Sequence, residues 1–564
     1  MRGHALAVLV VLACAAPLWA ANEAAAPSVD ELTARVTELA AKGKFSPELA
    51  DSFIRLADAR AREALVPATV SEEFWKWLAA NKTAHRALLI DGWPDYGADK
   101  ATVFRNLETL YKEFPKQIDH LTDLALAFAL VHARAGSKPV SAGWTRKARP
   151  GPTPGLVESF GWYVENEARM LYPIARLPWP LLVYVADNDV TLAERRWVLS
   201  QYGKITPARF NSLRGDFPFG MSHVPEVEKD YSLENIRRTG GVCLDQGYYV
   251  SRILKTLGVP AMYVRNRVGS IHAWPTWIDV QRGQFGMPEG DGGIYGGNLW
   301  CPTTRGNLHD CEVELLAAAM NHSAEGYADV AAACCVFSML AASEEAGKAD
   351  KAADMLLDAL KLRNPYLAEG WRRLASAVAE GRLPPQRGQA LCDTMAKPFA
   401  SYPDLTCEVL ASVMTLPTAE GQAASAAEVK RSLATLEKAS ALYERSKRPD
   451  LAAKLRLQQA RCLLAGGEAD KALTLCANTS KACAADRDVV IPLFDGVVAL
   501  LADAEHDARR AKYMKLMLAT VPQQTSNKEI NPVFAHMAEA YAAELEKSGN
   551  AAEAQQWRAR AKGN

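Results

Sequence analysis

Apolar positions along this chain recur with two different periods, and the switches between them divide the sequence. Residues 30–41 and 47–65 carry an apolar stripe of helical period, with Ser28 and Ser46 placed as N-caps. Residues 101–114 and 118–135 continue the pattern, so 28–135 is expected to be a helical N-terminal region. Residues 136–155 break it: this run collects Gly, Pro, Ser and basic residues, the composition of a loop or linker. Two further helices are predicted at 160–171 and 192–202, flanking the apolar run Leu181 to Val185. Trp162, Trp179 and Trp197 in this region fit a core, with a substrate groove as the alternative.

The pattern from Gly240 onward bears on chemistry. Val250, Ile253, Leu254 and Leu257 fall on one helical stripe, and Gly258 and Pro260 end it. Cys243 therefore stands at the first turn, where unpaired N–H groups and the helix dipole favour a thiolate. After Pro260 the period becomes two. Met262, Val264 and Val268 alternate with Tyr263, Arg265 and Arg267, which predicts a half-buried strand, and a second such run covers 272–279. Two strands packed on the helix bring His272, at the start of the second, toward Cys243, the pairing of nucleophile and base that acyl transfer uses. The predicted fold class is α+β.

These residues resemble the transglutaminase-like domain of the papain-like thiol enzymes. The match rests on Gly241, Cys243, Asp245 and Gly247, on Leu257, Gly258, Val259, Pro260 and Ala261, and on His272, Ala273 and Trp274. It covers roughly residues 195–306, within a domain expected over 156–313. The resemblance implies a helix packed on an antiparallel sheet, Cys243 as nucleophile, His272 as base and Trp274 beside the substrate. In the family a third residue, usually Asp before Pro-Thr, orients the histidine; here the run Trp300, Cys301, Pro302, Thr303 puts Cys301 in that place. A thiol is a poor acceptor and, protonated, carries no charge. Asp279, Asn298, Asp291 and Asp310 are the substitutes, and the sequence does not choose among them; strand alternation turns Asp279 away from the face of His272, Trp274, Thr276 and Ile278. Pro275 lacks an N–H, which places this part of the strand at an edge or a bulge. Two expectations follow: an active thiol enzyme, or a degenerate site that only binds.

Beyond residue 314 the composition turns to Ala, Leu, Lys and Glu, with short Gly- or Asn-containing turns. Ala-Asp-Lys-Ala recurs at 349–352 and 469–472, each after a Gly, and Ser548-Gly549-Asn550 precedes a third such helix. This resembles degenerate tetratricopeptide repeats over 314–564. The resemblance implies an α-solenoid that offers a protein partner a concave surface or serves as a platform for the thiol domain.

Composition adds few constraints. The 564 residues hold 65 Lys+Arg and 65 Asp+Glu, a balance that argues against nucleic acid. Residues 1–21 have the layout of a secretory signal, which points to a secreted or periplasmic protein and makes protein or cell-wall peptide substrates the expectation. Cleavage near Ala20 is favoured over an acyl anchor on Cys14, and no later stretch reads as a transmembrane span. Among eleven cysteines, Cys301 with Cys311, Cys392 with Cys407, and Cys476 with Cys483 are close enough in sequence to pair, whereas Cys334 and Cys335 fit buried apolar positions. No zinc-type spacing occurs, and neither a metal nor a cofactor is expected.

Overall fold

The N-terminal helices begin where side chains can satisfy their first amides. In the computed structural model Ser28 accepts the N–H of Glu31 while Glu31 accepts that of Ser28, a reciprocal cap that opens α1 (Val29–Ala40). Ser46 accepts from Leu49 to open α2 (Pro47–Leu65). The structure describes residues 27–563 apart from 67, 91–98, 134–150, 221–229, 267–271, 281, 288–296, 304–306, 344, 346, 396–397, 415–425, 446–447, 485, 503–506 and 526–527. The predicted signal segment, Cys14, Asp291 and most of the 136–155 run lie outside the described residues. α3 (Glu72–Ala80) and α4 (Lys82–Ile90) occupy a stretch for which no element was predicted. α5 (Lys100–Glu113) and α6 (Thr122–Val131) follow, the latter buried along its whole length and shorter than the predicted 118–135 because turns occupy 117–121. α7 (Leu156–Asn166), α8 (Trp179–Ala186) and α9 (Leu192–Tyr202) complete this half; the apolar run at 181–185 is a fully buried helix. Trp162 and Trp179 are core residues, 5% and 8% exposed.

After α10 (Leu233–Thr239) and α11 (Cys243–Thr256) comes an antiparallel sheet of order β3-β2-β1-β4-β5, formed by β1 (Ala261–Asn266), β2 (Ala273–Asp279), β3 (Gln284–Gly286), β4 (Gly297–Trp300) and β5 (Asn307–His309). The class is α+β, mostly helical with this small sheet. The register explains how β2 tolerates Pro275. Ile278 donates to Pro260 O at 2.9 Å, so this pair is hydrogen-bonded, and alternation makes Tyr263–Pro275 a non-bonded pair. The side of Pro275 that lacks N–H thus faces away from β1, toward β3, which pairs only with Trp277 to Asp279. No ladder bond is lost.

α12 (Asp310–Ala341) continues directly from β5 and runs through the boundary expected between residues 313 and 314. It packs on β3, β4 and β5, on α2 and α4, and on the helices that follow. By length and mean hydropathy it could cross a membrane, contrary to the expectation that no stretch reads as a span, but most of its apolar window is buried inside the protein. It kinks at Ser323, and the Asn364 amide donates to the carbonyls of Ala319 and Ser323 at 2.8 and 3.0 Å, which satisfies groups the kink would strand.

The remaining helices are α13 (Lys348–Leu362), α14 (Ala368–Ala379), α15 (Pro385–Met395), α16 (Pro403–Val413), α17 (Ala426–Arg445), α18 (Pro449–Ala465), α19 (Ala469–Ala482), α20 (Arg487–Leu500), α21 (Asp507–Leu518), α22 (Pro532–Lys547) and α23 (Ala551–Ala561). Most successive helices pack on one another, while α16 meets α18, and each Ala-Asp-Lys-Ala lies in a first turn, of α13 and of α19. One buried apolar cluster extends from Leu32 to Cys462, and a second from Ala453 to Ala561, with α18 contributing to both. None of the ten described cysteines is in a disulfide, contrary to the three pairings expected from sequence proximity. Cys407 and Cys476 instead point into helix interfaces, where burial pushes their thiols up to about 12.

Candidate active site

The start of α11 is built from both directions along the chain. Gly240 has φ +79°, and a Cβ there would lie 2.0 Å from Pro218 O, so only glycine lets the backbone of 218–220 cross in front of the helix. Gly241 donates to Pro218 O and accepts from Gly220 N, at 3.2 and 3.0 Å. Asp245, 1% exposed, accepts the N–H of Val242 at 2.9 Å and the hydroxyl of Tyr231 at 2.8 Å. Burial, and then the Asp245 charge, hold the Tyr231 phenol well above its ordinary range. The carboxylate in the motif is therefore the cap that fixes the first turn. Cys243 is the first residue of that turn and is half-buried.

Gly247, one turn further on, seats the helix on the sheet. A Cβ there would stand 3.1 Å from Tyr263 Cβ, 3.5 Å from Trp274 C and 3.7 Å from Pro275 N. α11 thus lies on the face that carries Tyr263 and Pro275. Four helical residues span about 6 Å and two strand residues about 6.6 Å, so one turn back from Gly247 brings Cys243 over the Arg265–Ala273 pair. Consistent with this, Arg265 is in electrostatic contact with Cys243; its guanidinium is lowered mainly by desolvation, opposed by Tyr263 and Cys243.

His272 immediately precedes β2 at the same end of the strand and is half-buried. Its ring centroid lies 5.6 Å from that of Trp274, which is 1% exposed. Alternation sends Trp274 and Val264 to the face opposite Tyr263 and Arg265, and the ring contact sets His272 beside Trp274.

The candidates for a third member are dispersed. One step beyond the Arg265–Ala273 pair, the level of His272 corresponds on β4 to Gly297, and Cys301 lies four positions further, roughly 13 Å along the strands. Cys301 does not stand beside His272. It is 5% exposed, its sulfur is 3.2 Å from Thr303 Oγ1, and it lines a cavity of about 300 Å³ with Trp179, Glu312, Tyr327 and Arg372. Asp279, at the far end of β2, is roughly 23 Å along the strand from His272 and pairs with Arg282. Asn298 is register partner to Arg265, and its Oδ1 is 2.9 Å from Nδ1 of a different histidine, His309. Asp310, 1% exposed, accepts the N–H of Gly297 at 3.1 Å and that of Cys311 at 2.9 Å, so it sits at the level of His272 with β1 and β4 between them. Arg265 and His309 had no role in the sequence analysis. The signal for Arg265 was present in the alternation of β1, which groups it with Tyr263; for His309 there was none, because the register of β5 is not readable from spacing.

No family model matches the chain, and neither does any curated protein or any solved structure.

Proposed function

We propose that this is an exported thiol acyl-transfer enzyme of transglutaminase-like type, with Cys243 as nucleophile, His272 as base and the helices after the sheet as tetratricopeptide-like repeats. The observation that carries this is the seat of Gly247 on Tyr263 and the Trp274–Pro275 backbone, which brings the first turn of α11 toward the strand end that His272 precedes. In the reaction the Cys243 thiolate adds to a carboxamide or peptide carbonyl carbon, and the amides at the start of α11 support the resulting oxyanion. The C–N bond then breaks, the amine leaves with the proton held by His272, and a thioester remains. Water, or a second amine, adds to the thioester after giving a proton to His272, and the thiolate is released. Export implies protein or cell-wall peptide substrates, with the repeats available to a protein partner.

The test is a thiol-directed fluorescent probe on the wild type and on Cys243→Ala. Labelling concentrated at Cys243, lost in Cys243→Ala and slowed in His272→Ala, supports the enzyme; labelling of other cysteines with Cys243 unmodified overturns it. One observation favours a second reading, a binding or scaffold protein acting through its repeats. In the register of the sheet Cys301 and Asp279 lie roughly 13 and 23 Å along the strands from the level of His272, and Asn298 bonds His309.

A further inference from the structure

On the face of the sheet that receives α11, β1 presents Tyr263 and Arg265, whereas Trp274 belongs to the other face and His272 precedes β2 at the strand end. Arg265 stands in the pair over which Cys243 falls, and it is half-buried, so its charge acts through less water than a surface cation's. An Arg keeps its charge at every pH the protein meets, unlike an imidazole. Resting on the acyl-transfer reading above, we propose that Arg265 is a positioning residue for the nucleophile: β1 delivers its guanidinium to the start of α11, where it favours the thiolate of Cys243. The family-type pair of Cys and His is then assisted, on the thiol's own face, by a cation that no motif specifies.

Other charged or titratable groups border the first turn. Asp245 on α11 is engaged by Val242 N and Tyr231. Tyr263 shares the face of Arg265, and His272 lies at the start of β2. The segment Pro207–Asp216, whose Arg214 carbonyl accepts from Gln246, brings Arg214 and Asp216, the latter paired with Arg209. α10 brings Glu234, Arg237 and Arg238; Arg237 bonds Gln201 and lies over Trp197, and Arg238 bonds Asn235. On β4 and β5, beyond Arg265, Asn298 and His309 bond each other. Arg265 is a cation on which the Cys243 charge acts.

The experiment is the pH profile of iodoacetamide alkylation at Cys243, followed by mass spectrometry, in the full-length wild type, Arg265→Gln, Arg265→Lys and His272→Ala. In Arg265→Gln the rise of the rate with pH is expected to move about one unit higher, a roughly tenfold loss at pH values well below the wild-type midpoint, with the alkaline plateau kept; Arg265→Lys retains most of the wild-type rate. An Arg265→Gln profile that overlays the wild type overturns the proposal while leaving Cys243 reactive, whereas a wild type inert at Cys243 overturns the enzyme reading itself. Should Arg265→Gln not fold, Arg265→Met, which keeps the apolar stem, decides: a profile moved to higher pH supports the pairing, and one that overlays the wild type overturns it.

Discussion

Gly247→Ala puts the seat of α11 under direct load. Two effects oppose each other. Replacing a helical glycine by alanine gains about 0.5–1 kcal/mol from backbone entropy. The new methyl, however, would stand 3.1 Å from Tyr263 Cβ, several tenths of an ångström inside ordinary contact, and the obstacle is a strand residue close to backbone rather than the far end of a flexible side chain. Overpacking of this kind costs about 1–3 kcal/mol, so a net loss of about 0–2.5 kcal/mol is expected. Gly247→Val adds two more methyl groups against the same pair and is expected to lose more than about 3 kcal/mol. Urea unfolding followed by circular dichroism measures the stabilities, and alkylation of Cys243 reports on the first turn. A Gly247→Ala variant more stable than wild type by the full propensity gain, with unchanged alkylation, would refute the seat and with it the placement of Cys243 over Arg265.

Other expectations concern the surrounding structure. Burial raises Asp123 to about 6 despite the N–H it accepts from Trp179. Since the unfolded value is about 3.9, the folded state holds the extra proton between those limits, and the group's contribution to stability falls as pH rises from about 4 to 6. Asp123→Asn keeps the acceptor and is expected to recover up to about 3 kcal/mol at pH 7 relative to pH 4; urea titrations with the same pH slope in both proteins would contradict this. Arg252 pairs with Asp189 at 2.6 Å, both side chains almost wholly buried, so Arg252→Met is expected to cost about 3–5 kcal/mol and the double variant with Asp189→Leu less, as thermal melts would show. A fragment of residues 449–564, which carries the second apolar cluster, is expected to be helical and to melt cooperatively, whereas one starting at 318 begins inside α12; a 449–564 fragment that is unfolded by circular dichroism would mean the two clusters form one folding unit.

Local signals carried well into the fold and tertiary ones did not. Ser28, Ser46 and the stretches 47–65 and 192–202 were legible because caps and helical stripes lie within a few residues of each other. α6 was overextended because a segment buried on all sides has no polar face to mark where its helix begins. The same property hid the helical nature of 181–185, where five consecutive apolar residues carry no period. The change of composition near residue 314 is real, yet it falls inside α12, because composition follows what a helix packs against and α12 meets the sheet with one part and the following helices with another. The three cysteine pairs close in sequence are not bonded, since helix and strand directions, not spacing, decide where a sulfur points.

The site divides along the same line. Cys243, Asp245 and Gly247 lie on one helix, so their mutual placement follows from its period, and the tolerance of Pro275 follows from the pairing of β1 with β2 across a short connection. The third member was sought by counting from Trp300, which assumes that β4 enters the sheet in one particular register. β4 pairs with β1 and not with β2, and in the register observed four positions separate Cys301 from the level of His272. At that level β4 offers Gly297, whose amide is held by Asp310, and beside it, on the opposite face, β1 offers Arg265. A thiol served from its own face by a guanidinium depends less on an acid behind the histidine. If the Arg265 profile shifts as expected while Cys301→Asp leaves Cys243 alkylation unchanged, the departure from the family pattern at Cys301 lies outside the reacting groups.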